Sequence, residues 1–188
     1  MFDHANDLCM GFFRQAYDAG AMAFPQQARV LELGCAEADW QHAMKTARPD
    51  LHLTGIDQRG AVRPDCDRLL HEDILTTQAF QPHEFDAIVA VSMIEWAGIG
   101  HYGDPRQADG DSVVMQRAHG WLKPDGFLYF DVPYNRDGHI HRGPLRAYSD
   151  ASLQARLFQG LWVETWRQYF TGDGHPDGPY VALVVKPV

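Results

Sequence analysis

The chain has 188 residues, which fits one domain that buries a sizeable core. Its formal net charge of −9 disfavours a nucleic-acid partner, although Arg136, Arg142 and Arg146 could still form a local basic patch. No apolar run is long enough to cross a bilayer and the N-terminus lacks the basic region of a signal peptide, so no membrane association is expected. Three scattered cysteines indicate reduced thiols, and we expect a cytoplasmic protein.

The first predicted element is an amphipathic helix over residues 4–22, in which the apolar side chains are spaced for one face. Gly20 and Pro25 end this helix before the first strand. The pattern predicts a helix that packs against the body of the domain.

A strand, a turn of small residues and a helix are predicted in succession at residues 30–47. The strand covers residues 30–33, Gly34 breaks the apolar run, and a helical pattern begins near Asp39. Such a turn lets backbone N–H groups and a helix N-terminus approach a ligand closely. The pattern therefore predicts a site for a nucleotide cofactor.

The side chains of this turn favour a cationic cofactor over a dianionic one. A dinucleotide site needs three glycines so that a pyrophosphate can lie against bare backbone, but here Ala36 and Ala38 accompany Gly34. Glu37 would repel a pyrophosphate, whereas Glu32 suits the ammonium group of a methionine moiety. A nicotinamide-dependent oxidoreductase remains as a disfavoured alternative.

The turn resembles the first motif of class I S-adenosylmethionine-dependent methyltransferases, which is an acidic residue followed by Gly-x-Gly-x-Gly. Glu32, Gly34, Ala36 and Ala38 occupy the motif positions, with alanine in place of two glycines. The resemblance implies S-adenosylmethionine as the cofactor. The two alanines leave open a weakened site, and with it the alternative of a non-catalytic cofactor-binding partner protein.

The same resemblance implies the architecture. It is a single α/β domain over residues 1–188, with a three-layer α/β/α Rossmann-like fold. The sheet has seven strands in the order 3-2-1-4-5-7-6 and is mostly parallel, with an antiparallel C-terminal hairpin. The helix within residues 1–25 is expected to cover the cofactor side.

The second predicted strand, at residues 51–56, ends at Asp57, which lies 23 residues after Gly34. An acidic residue about 20 residues beyond the glycine turn is placed to accept hydrogen bonds from ribose hydroxyls. This requirement is common to both kinds of cofactor. The alternative is an ordinary helix cap.

A short third strand at residues 68–71 precedes Asp73 and Ile74. In the resembled family, an acidic residue at this place binds the adenine amino group and its apolar neighbour packs against the ring. Asp73 could instead cap the stretch that follows it. The remaining residues that the resemblance places at the cofactor are Cys35, Gln58 and Ser92.

The C-terminal half continues the resemblance. A buried parallel strand is predicted at residues 85–92, opened by a Phe-Asp pair that is typical of the family's fourth strand. The sequence Lys-Pro-x-Gly at residues 123–126 is the family's usual approach to the fifth strand, and we expect Pro124 to end the preceding helix and Gly126 to turn the chain. The other predicted elements are a helix at 109–122, a helix at 149–158, and strands at 161–170 and 180–186.

The loop after the fourth strand contains the candidate catalytic residues. It resembles a stretch found in a bacterial subgroup of these methyltransferases, with Trp96 where the subgroup has histidine. Methyl transfer is an in-line displacement, for which an oxygen acceptor needs a general base. Glu95, His101 and Asp104 are candidates, and His101 is favoured because its ordinary pKa lies near neutrality. In the alternative interpretation the loop is structural and Asp104 starts the next helix.

The acceptor is expected to be a small molecule or a sugar-type metabolite held by loops 92–108 and 133–148. Trp96, Tyr102 and Tyr134 could line its pocket, or could belong to the rim of the core. No inserted lid domain is present, so the pocket is either open or completed by a second subunit in a homodimer.

No metal site is predicted. His139 and His141 could share one face of a strand, but two histidines without a nearby carboxylate or cysteine set do not complete a site.

Overall fold

The computed structural model describes residues 4–37, 40–59, 65–136, 141–142, 145–170 and 178–188. The strands are β1 Arg29–Leu33, β2 His52–Ile56, β3 Arg68–Leu70, β4 Phe85–Ala90, β5 Leu122–Pro133, β6 His141–Arg142, β7 Leu145–Arg146, β8 Trp162–Phe170 and β9 Tyr180–Pro187. The helices are α1 His4–Asp18, α2 Trp40–Ala47, α3 Gly110–Trp121 and α4 Asp150–Ser152. Short 3-10 turns cover Cys35–Glu37 and Ile94–Trp96, and a π-helical turn covers Leu153–Phe158.

Seven strands form one sheet in the order β3-β2-β1-β4-β5-β9-β8, while β6 and β7 pair separately. β1 to β5 pair in parallel, and β9 lies antiparallel between β5 and β8. When β6 and β7 are set aside, this is the predicted order 3-2-1-4-5-7-6. The predicted fold class is therefore confirmed.

The sheet is covered on both faces, as expected for parallel strands that are almost continuously apolar. On one face, α3 and the π-helical turn pack against a large apolar cluster. On the other face, α1 packs its aromatic side chains. The Phe13 ring lies 5.1 Å from Trp40 and 5.2 Å from Tyr129, and Phe12 stacks on Phe170 at 3.7 Å between ring centroids. The expectation that α1 covers a cofactor stays a prediction.

One helix end and one turn differ from the sequence predictions. α1 stops at Asp18 because the chain turns at Gly20, whose φ is +70° and whose N–H donates to the Tyr17 carbonyl. α3 stops before Pro124, and β5 begins at once. Pairing between β4 and β5 then jumps across residues 123–126, so the predicted turn is a bulge within the strand.

The predicted helix at 149–158 begins as expected and then changes its geometry. Ser149 and Ser152 form a capping box, which supports the prediction of a helix start at this serine. After one turn the hydrogen bonding widens into the π-helical turn, which ends at Gln159 with φ at +50°. Within the described ranges, no helix combines the length and apolarity that a membrane span requires.

We expect Val30→Ala in the central strand β1 to lower the free energy of unfolding by about 2 kcal/mol, because it removes fully buried methyl groups and leaves a void. The matched control is Val163→Ala on β8, where the valine is 52% exposed, and its loss should stay below about 1 kcal/mol. Equilibrium urea unfolding of the two variants measures the difference. Equal losses would contradict the position of β1 in the core.

Candidate functional site

The carboxyl ends of the parallel strands bring the predicted cofactor residues to one edge of the sheet. Gly34 follows β1, Asp57 follows β2, Asp73 follows β3 and Ser92 follows β4. β1 pairs with β2 on one side and with β4 on the other, so the direction of winding reverses there. In open α/β sheets, ligands bind outside the carboxyl ends of the strands at this reversal.

The turn after β1 requires its glycine. Gly34 has a φ of +77°, and a Cβ on it would collide with the side chain of Met93, the residue after Ser92. Its N–H donates to the Ile56 carbonyl at 2.9 Å, which ties the turn to the end of β2. Ala38, the last motif position, lies outside the described residues.

Asp57 joins the turn after β1 to the end of β2. Its carboxylate is 4% exposed and accepts a hydrogen bond from the Ala36 N–H at 3.2 Å. It also accepts from the Arg59 backbone N–H at 2.8 Å and pairs with the Arg59 guanidinium at 3.1 Å. Asp57, the residue predicted to bind the ribose, therefore faces the turn predicted to bind the cofactor.

Glu32 lies beneath the same turn and is held by α2. Trp40 Nε1 donates to one of its carboxyl oxygens at 2.8 Å, and the Gln41 amide donates to the other. Burial raises the pKa of Glu32 from about 4.5 to about 8, against the opposing effect of these two hydrogen bonds. Gln41 also accepts from the Asp65 N–H, so this contact extends beyond the sheet.

Cys35 and Gln58 occupy different environments. Cys35 is buried against Gly55, and desolvation raises the pKa of its thiol. Gln58 is exposed, and its side-chain amide donates to the Tyr102 carbonyl at 3.3 Å. Gln58 thus connects the end of β2 to the loop after β4.

Asp73 shapes the turn after β3. Its Oδ1 accepts from the Leu75 N–H at 2.8 Å, which is the capping interaction that the sequence left open. Ile74 is half-buried and packs against the apolar cluster on one face of the sheet. Contact of either residue with adenine stays a prediction.

Ser92 lies in a left-handed conformation, with φ at +45°, that non-glycine residues rarely adopt. Its N–H donates to Asp131 Oδ1 at 3.1 Å and its hydroxyl donates to Glu95 Oε1 at 2.8 Å. Asp131 and Glu95 are fully buried, and Asp131 also accepts from the Tyr129 hydroxyl at 3.0 Å. These buried carboxylates hold the strained turn at the end of β4.

The loop after β4 presents an aromatic cluster of Trp96, His101 and Tyr102. Their ring centroids lie 4.6 to 5.4 Å apart. His101 and Tyr102 are exposed and Trp96 is half-buried. Asp104 closes the loop, since its carboxylate accepts from the N–H groups of Gly100 and Tyr102 at 3.2 and 3.4 Å.

Arg146 supports this loop from below and was missed as a site residue by the sequence. Its guanidinium donates to the Ala97 carbonyl at 2.5 Å and to the Gln107 carbonyl at 3.3 Å. Because Arg146 is only 4% exposed, the suggestion that it could join a basic surface patch is wrong. Arg136 is exposed, and the side chain of Arg142 lies outside the described part of the chain.

Asp111 is the buried partner of this arginine and was also missed. It accepts two hydrogen bonds from the Arg156 guanidinium, at 2.6 and 2.9 Å, and lies 4.0 Å from Arg146. The Tyr148 hydroxyl donates to it at 2.9 Å, and burial raises the pKa of that hydroxyl well above its ordinary value. Helical spacing could have indicated Asp111 only as a polar residue on an apolar face.

Tyr134 belongs to the rim of the core, one of the two roles left open by the sequence. It is 8% exposed, donates to Asp150 at 3.1 Å and packs edge-on against Tyr169. His139 and the side chain of His141 lie outside the described residues. Among the residues that are described, no group of three or more His, Cys, Asp or Glu side chains could hold a metal ion.

Residues 66–173, more than half of the chain, match the model of a protein family described as "Caenorhabditis protein of unknown function, DUF268". The chain belongs to this family. No curated protein sequence matches it.

Solved structures share the fold at low sequence identity. The 1,6-didemethyltoxoflavin-N1-methyltransferase of Burkholderia thailandensis, bound to 1,6-didemethyltoxoflavin and S-adenosylhomocysteine, has a TM-score of 0.66 at 12% identity and covers 100% of this chain and 92% of its own. The N-methyltransferase NodS of Bradyrhizobium japonicum, in complex with S-adenosylhomocysteine, has a TM-score of 0.63 at 17% identity. The match covers 96% of this chain and 86% of NodS. The [4+2]-cyclase SpnF has a TM-score of 0.68 at 14% identity, and the match covers 93% of this chain and 80% of SpnF. The chain thus has the class I methyltransferase fold.

We expect the buried Glu32 carboxyl to make stability depend on pH. The folded chain keeps a proton on Glu32 up to about pH 8, whereas the unfolded chain releases it near 4.5, so this contribution is full below pH 4.5 and is lost as the pH rises through 8. Glu32→Gln cannot titrate. Its free energy of unfolding, relative to wild type, should therefore rise by on the order of 4 kcal/mol between pH 5 and pH 8.

Urea unfolding at the two pH values measures this change. The control is Glu164→Gln on the edge strand, whose stability relative to wild type should change little over the same range. A difference between Glu32→Gln and wild type that does not depend on pH would contradict the raised pKa.

We expect Asp111→Asn to lower the free energy of unfolding by about 3 kcal/mol, because it removes the buried negative charge that pairs with the Arg156 guanidinium and faces that of Arg146. The control, Asp109→Asn, makes the same exchange at an exposed position whose side chain does not cap α3, and should change stability by less than about 0.5 kcal/mol. Thermal and urea unfolding compare the two. Similar losses would show that the buried ion pairs do not support the loop.

Proposed function

We propose that the chain is an S-adenosylmethionine-dependent methyltransferase that acts on a small-molecule or sugar-type acceptor. The observation that supports this most is the position of Asp57. Its buried carboxylate lies across from the glycine turn, at the reversal of the sheet, and is bonded to the Ala36 N–H. A carboxylate in that place can accept the hydroxyls of a ribose.

The residues at this edge fit a cationic nucleoside cofactor. Gly34 keeps the turn free of a side chain, and the carboxylates of Asp57 and Asp73 follow the two neighbouring strands. Alanine stands at positions 36 and 38, where a dinucleotide site needs bare glycine backbone for its pyrophosphate, and this disfavours a nicotinamide dinucleotide. Glu32, Cys35, Gln58, Ile74 and Ser92 complete the proposed cofactor set.

When bound, S-adenosylmethionine supplies an electrophilic methyl group on a sulfonium. The task of the chain is then to orient the acceptor in line with that methyl group and to remove its proton. Trp96 and Tyr102 offer ring faces for orientation, and the Arg146 contacts below them fix the base of the loop. No metal is part of the proposal.

Of the three proposed catalytic residues, His101 is placed best to exchange a proton with an acceptor. It is exposed on the aromatic cluster, and an imidazole can accept a proton near neutral pH. Glu95 is fully buried and bonded to Ser92, while Asp104 is bonded to the backbone of its own loop. We assign these two carboxylates the task of shaping the loop that carries His101.

A non-catalytic role is the second candidate. It is favoured because two acidic residues of the proposed cofactor site are already bonded within the protein. Asp57 pairs with Arg59, and Glu32 accepts a hydrogen bond from Trp40 of α2. Neither role depends on a second domain, and we propose that the chain acts as one domain with a pocket that is either open or completed by a second copy. The cyclase SpnF carries the same fold, so the fold alone does not determine the reaction.

We expect wild-type protein to bind S-adenosylmethionine and S-adenosylhomocysteine with micromolar affinity in calorimetric titrations. Asp57→Ala should weaken both by about tenfold or more, because it removes hydrogen bonds to a charged acceptor. The control is Asp125→Ala. Asp125 is exposed in the bulge near the start of β5, away from the carboxyl ends of the parallel strands, so this variant should bind both ligands like wild type.

Binding that Asp57→Ala weakens would justify a screen of methyl acceptors with wild type. If neither ligand binds the folded protein, the methyltransferase proposal fails and the non-catalytic role takes its place. Tight binding of NADH in a parallel titration would instead support an oxidoreductase.

A further inference from the structure

The carboxylate of Asp57 is fully engaged by the protein itself. Oδ1 accepts from the Arg59 backbone N–H at 2.8 Å and from Arg59 Nε at 3.1 Å. Oδ2 accepts from the Ala36 N–H at 3.2 Å and from Arg59 Nη2 at 3.1 Å. A carboxylate offers about four lone-pair positions. A ribose hydroxyl can therefore bind Asp57 only by replacing one of these four donors.

The two guanidinium contacts are the ones that can be replaced. The Ala36 N–H belongs to the turn after β1, and the Arg59 N–H belongs to the backbone that follows β2, so both are fixed by the fold. The Arg59 guanidinium ends a long side chain that is 27% exposed, so water can solvate its charge once it leaves Asp57. Because the Asp57 side chain is only 5% exposed, the ribose hydroxyls have to supply the donors that the guanidinium withdraws.

The Arg59 guanidinium also contacts the ring of Tyr102. The central carbon of the Arg59 guanidinium lies 4.1 Å from the centroid of the Tyr102 ring, within the range of a cation–π contact. The Tyr102 carbonyl also accepts from Gln58, which fixes the loop relative to the end of β2. Arg59 can thus give up Asp57 and still contact the aromatic cluster.

We propose that Arg59 competes with the nucleoside cofactor for the Asp57 carboxylate and so sets the affinity of the cofactor site. The ribose hydroxyls take the two positions that the guanidinium vacates, while the backbone donors of Ala36 and Arg59 keep the carboxylate in place. The inference rests on the proposed function, because it assigns the ribose to Asp57. Arg59 acts through Asp57 and is a positioning residue rather than a catalytic one.

The test is calorimetric titration of the folded chain with S-adenosylhomocysteine, which lacks the sulfonium charge and so responds less to the net charge of the protein. Arg59→Gln should bind roughly fivefold more tightly than wild type, since the ligand no longer displaces an ion pair. Arg59→Lys keeps the charge but cannot form the forked contact, and should give an intermediate affinity.

Arg14→Gln is the matched control. It removes the same charge from an α1 position where the side chain is 83% exposed, and the affinity for S-adenosylhomocysteine should not change. Circular dichroism and the unfolding midpoint of each variant confirm that all are folded.

Tighter binding by Arg59→Gln than by wild type and Arg14→Gln supports the competition. Equal or weaker binding by Arg59→Gln, in a wild type that binds the ligand, overturns it and leaves the methyltransferase proposal standing. Equal tightening in Arg59→Gln and Arg14→Gln also overturns it, because the effect is then one of net charge. If no variant binds, both the proposed function and this inference fail.

Discussion

The parallel pairing of β1 with β2 on one side and β4 on the other is the constraint on which the rest of the structure depends. It places the carboxyl ends of four strands at one edge and reverses the direction of winding at β1. Residues that are far apart in the chain, such as Gly34 and Asp57, then become neighbours. The covering helices stabilise this sheet, but the order of its strands decides where a ligand can bind.

Buried carboxylates give the irregular segments above that edge their shape. Asp131 holds the left-handed backbone of Ser92, and Asp111 anchors the arginine that supports the loop after β4. Loops rarely have enough apolar contact to fix one conformation, whereas a buried charge has a strong preference for its bonded partner. Polar contacts of buried carboxylates therefore shape the turns at this edge of the sheet.

The cofactor half and the acceptor half of the proposed site are physically joined. Gln58 and Arg59, directly after β2, both contact Tyr102 in the loop after β4. Arg59 therefore contacts both the Asp57 carboxylate and the Tyr102 ring of the aromatic cluster. In methyl transfer such a connection is useful, because the acceptor has to be positioned relative to the cofactor and not merely bound.

The sequence by itself determined the order and type of the seven strands of the main sheet and of the helices before them, because apolar periodicity, the Gly34 turn and the capping serine of α4 are local features. It did not predict the β6–β7 pair, which lies in the segment 133–148 expected to be a loop. It also determined that acidic residues follow β2 and β3, so a cofactor edge could be predicted together with Asp57 and Asp73. The local sequence pattern did not predict backbone geometry that depends on the pairing of one strand with another. The bulge around Pro124 is an example, since it follows from the register of β5 against β4.

Only the tertiary structure decided which polar residues are buried and what they contact. Arg146 and Asp111 are distant in sequence, and no spacing rule brings them together. The same holds for the contact of Arg59 with Tyr102, which exists because the loop after β4 crosses to the end of β2. Burial and partnership depend on the path of the whole chain, and these two properties decide whether a charged side chain supports the fold or competes for a ligand.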